Sequence, residues 1–596
     1  MHRRDFLAGT LASFVPAAFP ARAEESDTKA VRPIRGMKAS EVVVTAYGAR
    51  PDDGRDDTAG LRRAVEQCQR VPQPWLIFPK GQYDLADEAA VASFRKFMAS
   101  AAPGMNFLED PHYKPPDYTV GVQFRDCHGL TVDGQGSTLV VHGYTLPFSF
   151  DGCDGVTVRN LTIDFDRPPF STGRVIASAS RTLDIRVFDE FPIAGGEPVH
   201  IFQEYDAKTR KPTCREWGGV VASTELIGPQ VLRLNTRCEV KIMPGAIVVM
   251  RHPIHICPDF DVVRCTRFRM EDVTVHASIG IGVLVRASRD SSLERVRVIP
   301  RPDNNRIMSS SFDATMFGFC SGTVEIKDCT FEGMGDDAFS VNNGRTTADE
   351  RVDPYTFAAH FDWFDDYHFN PWWILPPEPG QHLQFMRPFT LLPYATAQVD
   401  QVQFDAATGR MRIGLRERVP DQFQSGDTFA CAERNARARV FGCTFRPNRS
   451  RGILLSTQDA IVEKSKFEGT GGTALYIFSD LATGATAAGD MVVRNNEFIN
   501  CGHAVANQGG SGITLDIENR AKAAGRRTAV LRNIVIEKNS FRGDSGPALA
   551  ISATENVTVQ NNRFDNPLPA IRIQKGCKVK LRGNGFSQRG DAVVFQ

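Results

Sequence analysis

Val559-Gln560-Asn561-Asn562-Arg563-Phe564 and Leu581-Arg582-Gly583-Asn584-Gly585-Phe586 are one short pattern written twice, 22 residues apart. The same pattern runs upstream as Ile536-Glu537-Lys538-Asn539-Ser540-Phe541, Val492-Val493-Arg494-Asn495-Asn496-Glu497-Phe498 and Val462-Glu463-Lys464-Ser465-Lys466-Phe467. Earlier members are Val440-Phe441-Gly442-Cys443-Thr444-Phe445 and Ile326-Lys327-Asp328-Cys329-Thr330-Phe331. Phenylalanine spacing is 22 from Phe445 to Phe467 and 23 from Phe541 to Phe564, and the longer gaps read as insertions. A period near 22 built from short alternating segments means one coil of a solenoid per repeat. Helical periodicity is missing from these runs, as is the spaced-leucine consensus of leucine-rich repeats. The fold class is therefore all-β, a parallel β solenoid. Phe331, Phe445, Phe467, Phe541, Phe564 and Phe586 should stack as an internal ladder. Asn496, Asn539, Asn562 and Asn584 should stack beside them at a turn, where asparagine tolerates a left-handed backbone.

Working outward from these coils, Asp57-Thr58 ahead of Leu61, Ala64, Val65 and Cys68 spells a capped amphipathic helix that would close the open solenoid end. Two stretches break the rhythm with alternating strands such as Val231-Leu232-Arg233-Leu234 and Met411-Arg412-Ile413-Gly414-Leu415, and read as small antiparallel β modules. The expected organisation is a cap with the first coils over 24–176, an inserted module over 177–251 and central coils over 252–343. A second inserted module would cover 344–434 and the last coils 435–596. Residues 1–23 read as an export signal: Arg3-Arg4 precede an apolar run from Phe6 to Phe19 and the small-residue site Ala21-Arg22-Ala23. The paired arginines resemble a twin-arginine signal, which implies a periplasmic or secreted protein.

With 70 basic and 70 acidic residues the chain has no net field to draw it to nucleic acid or to an acidic membrane. After residue 23 no apolar run approaches the ~20 residues of a membrane span. Thirteen scattered cysteines without a close CxxC pair argue against zinc and for buried free thiols.

Several stretches in order carry a family resemblance: Phe78-Pro79-Lys80-Gly81-Gln82-Tyr83-Asp84, Asp133-Gly134-Gln135-Gly136-Ser137, His142-Gly143 and Ile163-Asp164-Phe165-Asp166-Arg167-Pro168. His255-Ile256-Cys257-Pro258, Asp313-Ala314-Thr315 and Gly335-Asp336-Asp337-Ala338 complete the set. The chain resembles glycoside hydrolase family 110, the α-1,3-galactosidases, in the pectin-lyase-like superfamily of right-handed parallel β-helices. The resemblance implies an exo-acting hydrolase that removes terminal α-linked galactose with inversion and needs no cofactor. Met316 departs from the family pattern, which has histidine there. Asn342-Asn343 and Phe478-Ser479-Asp480-Leu481 also depart, the latter from a Trp-rich, glutamate-containing stretch.

Asp313 and Asp336 lie 23 residues apart, one coil, which should put both side chains on one face with Asp337 beside them. Carboxylates packed so closely cannot all ionise, so one keeps a proton while another stays charged. Glycoside hydrolysis needs such an acid and base. The resemblance makes Asp336 the general acid, with Asp313 and Asp337 holding water. Arg451, at the position equivalent to Asp337 in the next full coil, could bind a sugar hydroxyl, pair with an aspartate, or serve a lyase. Trp372 and Trp373 could wall the pocket, and Asn342, Asn343, Met316 and His255 are further candidates for substrate contact. Asp164 and Asp166 would cap the turn before Pro168 or line the groove. No metal ligand set is assigned. A calcium site on the aspartates, a polysaccharide lyase or epimerase, and a non-catalytic glycan-binding β-helix remain as alternatives, and exposed solenoid flanks leave room for a homodimer.

Overall fold

The computed structural model describes residues 40–100, 117–252, 257–361, 375–388, 390–480, 486–504, 510–518, 530–543 and 546–596. The signal-like segment at 1–23 lies outside them. The expected all-β architecture is what forms. Two parallel sheets, of 22 and 12 strands, wind around one apolar core. A representative coil runs from Arg437–Phe441 through Thr444–Phe445 in the larger sheet, turns, and crosses the smaller sheet as Ile453–Ser456. The next coil begins at Gln458–Glu463.

The aromatic ladder is present. Phe445, Phe467, Phe498, Phe541, Phe564 and Phe586 stack at centroid spacings of 4.5 to 5.1 Å. Phe331 joins at 5.4 Å with a tilted ring. Each rung adds a directional preference to the burial of apolar area, which holds the coils in register.

The asparagine ladder also forms, with one correction to its backbone. Asn496 Nδ2 donates to Asn539 Oδ1 at 3.0 Å, Asn539 Nδ2 to Asn562 Oδ1 at 3.1 Å, and Asn562 Nδ2 to Asn584 Oδ1 at 3.1 Å. The left-handed position is the residue before the rung: Asn495, Lys538 and Asn561 have φ of 57°, 55° and 55°, and Gly583 follows suit at 58°. That residue turns the corner, which leaves the ladder asparagine extended enough to point inward. Cys329, Cys443 and Ser465 occupy the same rung in earlier coils. Cys443 Sγ donates to Ile326 O at 3.5 Å, and its backbone N–H donates to Ser465 Oγ at 3.1 Å. The thiols thus replace carboxamides as rung donors. All thirteen cysteines are free, and most are buried.

The cap helix spans Thr58–Cys68 and buries Leu61, Ala64, Val65 and Cys68. Its start is not capped by Asp57. Asp56 Oδ1 accepts from the Thr58 backbone N–H at 3.0 Å, whereas Asp57 turns inward to the N–H groups of Arg50 and Asp84 at 2.7 and 3.0 Å. Asp57 therefore ties the helix to the first coil.

The first inserted module is a seven-stranded antiparallel sheet from Phe170–Ala179 to Ile247–Arg251, beginning ahead of Ala177. It leaves the coils between the strands Thr157–Phe165 and Phe260–Val263. The second, from Thr346–Arg351 to Thr428–Cys431, closes into a six-stranded antiparallel barrel with its own core around Phe357, Phe385 and Phe429. It leaves after Phe339–Asn342 and returns at Arg437–Phe441.

Candidate active site

The turns that precede two successive strands of the 12-stranded sheet, Thr315–Gly318 and Phe339–Asn342, carry the acidic cluster. Parallel pairing matches Thr315 with Phe339 and Phe339 with Ile453. Two residues upstream of each, Asp313, Asp337 and Arg451 share one rung. The expected register is thus off by one: Asp337, at a separation of 24, stands over Asp313, and Asp336 is displaced from that rung by one residue. The displacement does not scatter the carboxylates. Each of Asp313, Asp336 and Asp337 offers an oxygen within 4.8 Å of the others.

Their environments differ. Asp313 and Asp337 are each 4% exposed, whereas the Asp336 side chain is 24% exposed and reaches solvent. Asp313 Oδ1 accepts from the Asp337 backbone N–H at 3.1 Å. Asp337 accepts from Ser450 Oγ at 2.7 Å, from the Arg451 N–H at 3.0 Å, and from the Arg451 guanidinium at 3.1 Å. Burial pushes the Asp313 carboxyl well above the usual range, and the charges of Asp337 and Asp336 push it the same way. Burial also raises Asp337, against the pull of Arg451. Asp313 is therefore the member that holds a proton most firmly, and the ion pair with Arg451 makes Asp337 the better anion.

Behind Asp336 lies a group of charges that sequence reasoning missed. Arg449 pairs with Glu216 of the first inserted sheet, donates to Gly335 O at 3.1 Å, and comes within 3.6 Å of Asp336 Oδ1. Arg251, at the last strand of that sheet, donates to Ser311 O at 2.9 Å and Gly335 O at 3.2 Å. Two arginines thus fix the peptide leading into Asp336. Burial and the neighbouring Arg449 lower Arg251 to about 10. Burial pushes the Glu216 carboxyl up, but the Arg449 ion pair reverses this and leaves it below the ordinary value. Only glycine fits at 335, because a Cβ there would stand 2.4 Å from Ser311 O. Alternation in Arg449-Ser450-Arg451 was the one local signal for this network. Glu216 had none, because its contact spans 233 residues of chain.

The other candidate residues separate. Met316 is buried with Ile281 and Leu284 and packs on Phe312, in a small apolar cluster separate from the solenoid core. Arg451 stacks over the Tyr476 ring at 5.1 Å while it pairs with Asp337. Asn342 stands at the far end of its strand, and Asn343 lines a separate cavity under the barrel. Asp164 is neither a simple turn cap nor groove lining: it is buried in ion pairs with Arg301 and Arg306. Asp166 pairs with His142 at 3.5 Å. His255, Trp372 and Trp373 lie outside the described residues. The trio has the spacing to ligate a hard cation, but Arg449 and Arg451 already supply positive charge on its flanks.

Residues 427–595 match the family described as right handed beta helix region. Over 567 residues the chain is 25% identical to α-1,3-galactosidase A of Bacteroides fragilis, with 90% of each chain covered. It is 24% identical to α-1,3-galactosidase B of Bacteroides thetaiotaomicron, covering 89% of this chain and 87% of that one. Among solved structures, a mannuronan C-5 epimerase A-module of Azotobacter vinelandii aligns with a TM-score of 0.40 and 12% identity over 93% of this chain and 99% of that one. The resemblance read from the motifs stands, and with it the class: a glycoside hydrolase built on a right-handed parallel β-helix. The particular proteins it is similar to along nearly its whole length are α-1,3-galactosidases.

Proposed function

We propose that the chain is an exo-acting glycoside hydrolase that removes a terminal α-linked galactose, with the aspartate trio as its acid–base machinery. The observation that carries this is the trio itself: two carboxylates that are buried and pushed up, and a third that reaches solvent within 4.8 Å of them. Asp336 is the member positioned to meet a leaving oxygen, and it delivers the proton that the trio shares. Asp337, charged and held by Arg451 and Ser450, accepts a proton from the attacking water, and Asp313 fixes that water by hydrogen bonding. The relatives support the choice of α-galactoside, and inversion follows the resemblance. The short spacing favours a second course, in which one aspartate attacks the sugar directly, since retaining enzymes keep their carboxyls ~5 Å apart. An exported location suits an enzyme acting on such glycans.

The test is a panel of α-1,3-, α-1,4- and α-1,6-linked galactosides and matched glucosides followed by proton NMR. Free galactose appearing first as the β-anomer supports single displacement, and the α-anomer supports double displacement. Release of no monosaccharide, or an unsaturated product absorbing in the ultraviolet, would overturn the hydrolase reading.

A further inference from the structure

The barrel does more than interrupt the coils. Where its strand His382–Met386 and the residues Leu391 to Pro393 lean over the solenoid, they enclose a cavity of about 450 Å³. From Asp337 the chain runs through the strand Phe339–Asn342 to Asn343 at the cavity wall, on the order of 20 Å at ~3.3 Å per residue. The cavity is therefore separate from the aspartates. Its volume falls in the range of small-ligand pockets.

Its lining is specific in kind. Asn343, Gln384, Asn435, Gln458 and Asn533 bring carboxamides to it, from the barrel on one side and the coils on the other. Met386, Leu391, Leu392 and Pro393 form an apolar wall. Its charged residues, Asp490 and Arg532, are of opposite sign, and Asp490 already accepts from Asn533 Nδ2 at 2.8 Å. Asn343 is 5% exposed, and its Oδ1 has no hydrogen-bond partner among the described residues. A buried carbonyl oxygen in that state calls for a donor. Carboxamides both donate and accept, as hydroxyl groups do. A wall of such groups facing an apolar surface, with no net charge, matches a neutral molecule that carries hydroxyls on its edges and C–H groups on its face.

We propose that this cavity is a second saccharide-binding site, distinct from the aspartate site, that holds one neutral sugar unit between barrel and solenoid. An occupant would bridge the two bodies and hold the enzyme to glycan without being cleaved.

The test uses the full chain with Asp336→Asn to prevent turnover. Methyl α-galactoside, methyl α-glucoside and N-acetylglucosamine are titrated at millimolar concentration by saturation-transfer NMR. At least one of them should show two classes of site. Gln384→Ala and Arg532→Ala should each weaken one class at least ten-fold and leave the other unchanged. Leu392→Trp, which fills the cavity without removing a polar group, should do the same and guards against a polar variant that merely loosens the barrel. Binding of none of the three, a single class of site for all three, or two classes indifferent to every cavity variant would overturn the proposal.

Discussion

Replacing Arg451 with methionine tests the electrostatics of the site on a single side chain. Methionine keeps an unbranched apolar stem over the Tyr476 ring and removes only the charge. Asp337, 4% exposed, would keep its bonds from Ser450 Oγ and the residue 451 N–H but lose the guanidinium at 3.1 Å. Breaking a buried pair so that one charge is left uncompensated costs about 3–5 kcal/mol. Asp337 can escape that cost by taking up a proton, so the loss must depend on pH. Its carboxyl is already raised in the native protein and rises further in the variant. A raised carboxyl favours the folded state at low pH and is lost as a source of stability as pH climbs through the folded value. One proton is worth about 1.4 kcal/mol per pH unit, and an unperturbed carboxyl titrates near ~4, so roughly three units bring the full penalty into view. Denaturant unfolding at pH 4.5 should show a loss of only about 1 kcal/mol, the stacking over Tyr476. At pH 7.5 the loss should reach about 3–5 kcal/mol. The acid limb of kcat/KM should move to higher pH, because Asp337 must be ionised to accept a proton. Equal destabilisation at the two pH values would refute the reasoning, since it would mean that Arg451 packs rather than compensates a charge.

Asp336→Asn should lower kcat by ~10²–10⁴ with little change in melting midpoint, because Asp336 is the solvent-reaching member of the trio; near-native turnover would remove it from the mechanism. Glu216→Gln removes the anion that holds Arg449 against Gly335 O, so kcat should fall with KM nearly unchanged as the peptide leading into Asp336 loosens; an unchanged kcat would show that the Glu216 pair only docks the inserted sheet. Asn539→Ala removes four ladder hydrogen bonds and strands the Val493 carbonyl and the Asn496 N–H, at about 3–5 kcal/mol in denaturant unfolding. Asn539→Ser should lose about half as much, since serine already serves on this rung at Ser465, and a cost for alanine under about 1 kcal/mol would mean that the ladder is ornamental to stability.

The solenoid was legible because its later coils repeat one pattern: from Phe331 onward each carries an inward aromatic and a small polar residue two positions earlier, whereas the earlier coils place Ile163, Val275 and Val298 on the aromatic rung and leave no such mark. The cysteine rungs were not read as such, because a thiol passes for a small buried hydrophobe, although Cys329 and Cys443 stand where the asparagines stand in later coils. The trio was legible as a cluster but not in its register. Counting 23 residues put Asp313 over Asp336, whereas hydrogen bonds pair Asp313 with Asp337, and chain spacing alone cannot see a turn one residue longer than its neighbours. Arg251, Glu216 and Arg449 were out of reach for another reason. They meet only because the first inserted sheet folds back over the coils, a contact set by tertiary packing and not by any period. The surroundings of Met316 were out of reach too, since position in a motif does not reveal that Ile281, Leu284 and Phe312 gather around it.

The barrel leaves the solenoid after Asn342 and returns so that Arg451 still lands on the rung of Asp337, across a separation of 114 residues. Its first and last strands pair with each other, Thr346 opposite Phe429, so the two ends of the excursion are neighbours. The site is thus indifferent to how long the excursion is. A chain could exchange the barrel for another module, or for a tight turn, and keep Asp313, Asp337 and Arg451 in line. Chemistry and accessory recognition can therefore change independently in a protein built this way: one is written in the pitch of the coils, the other in what hangs from them.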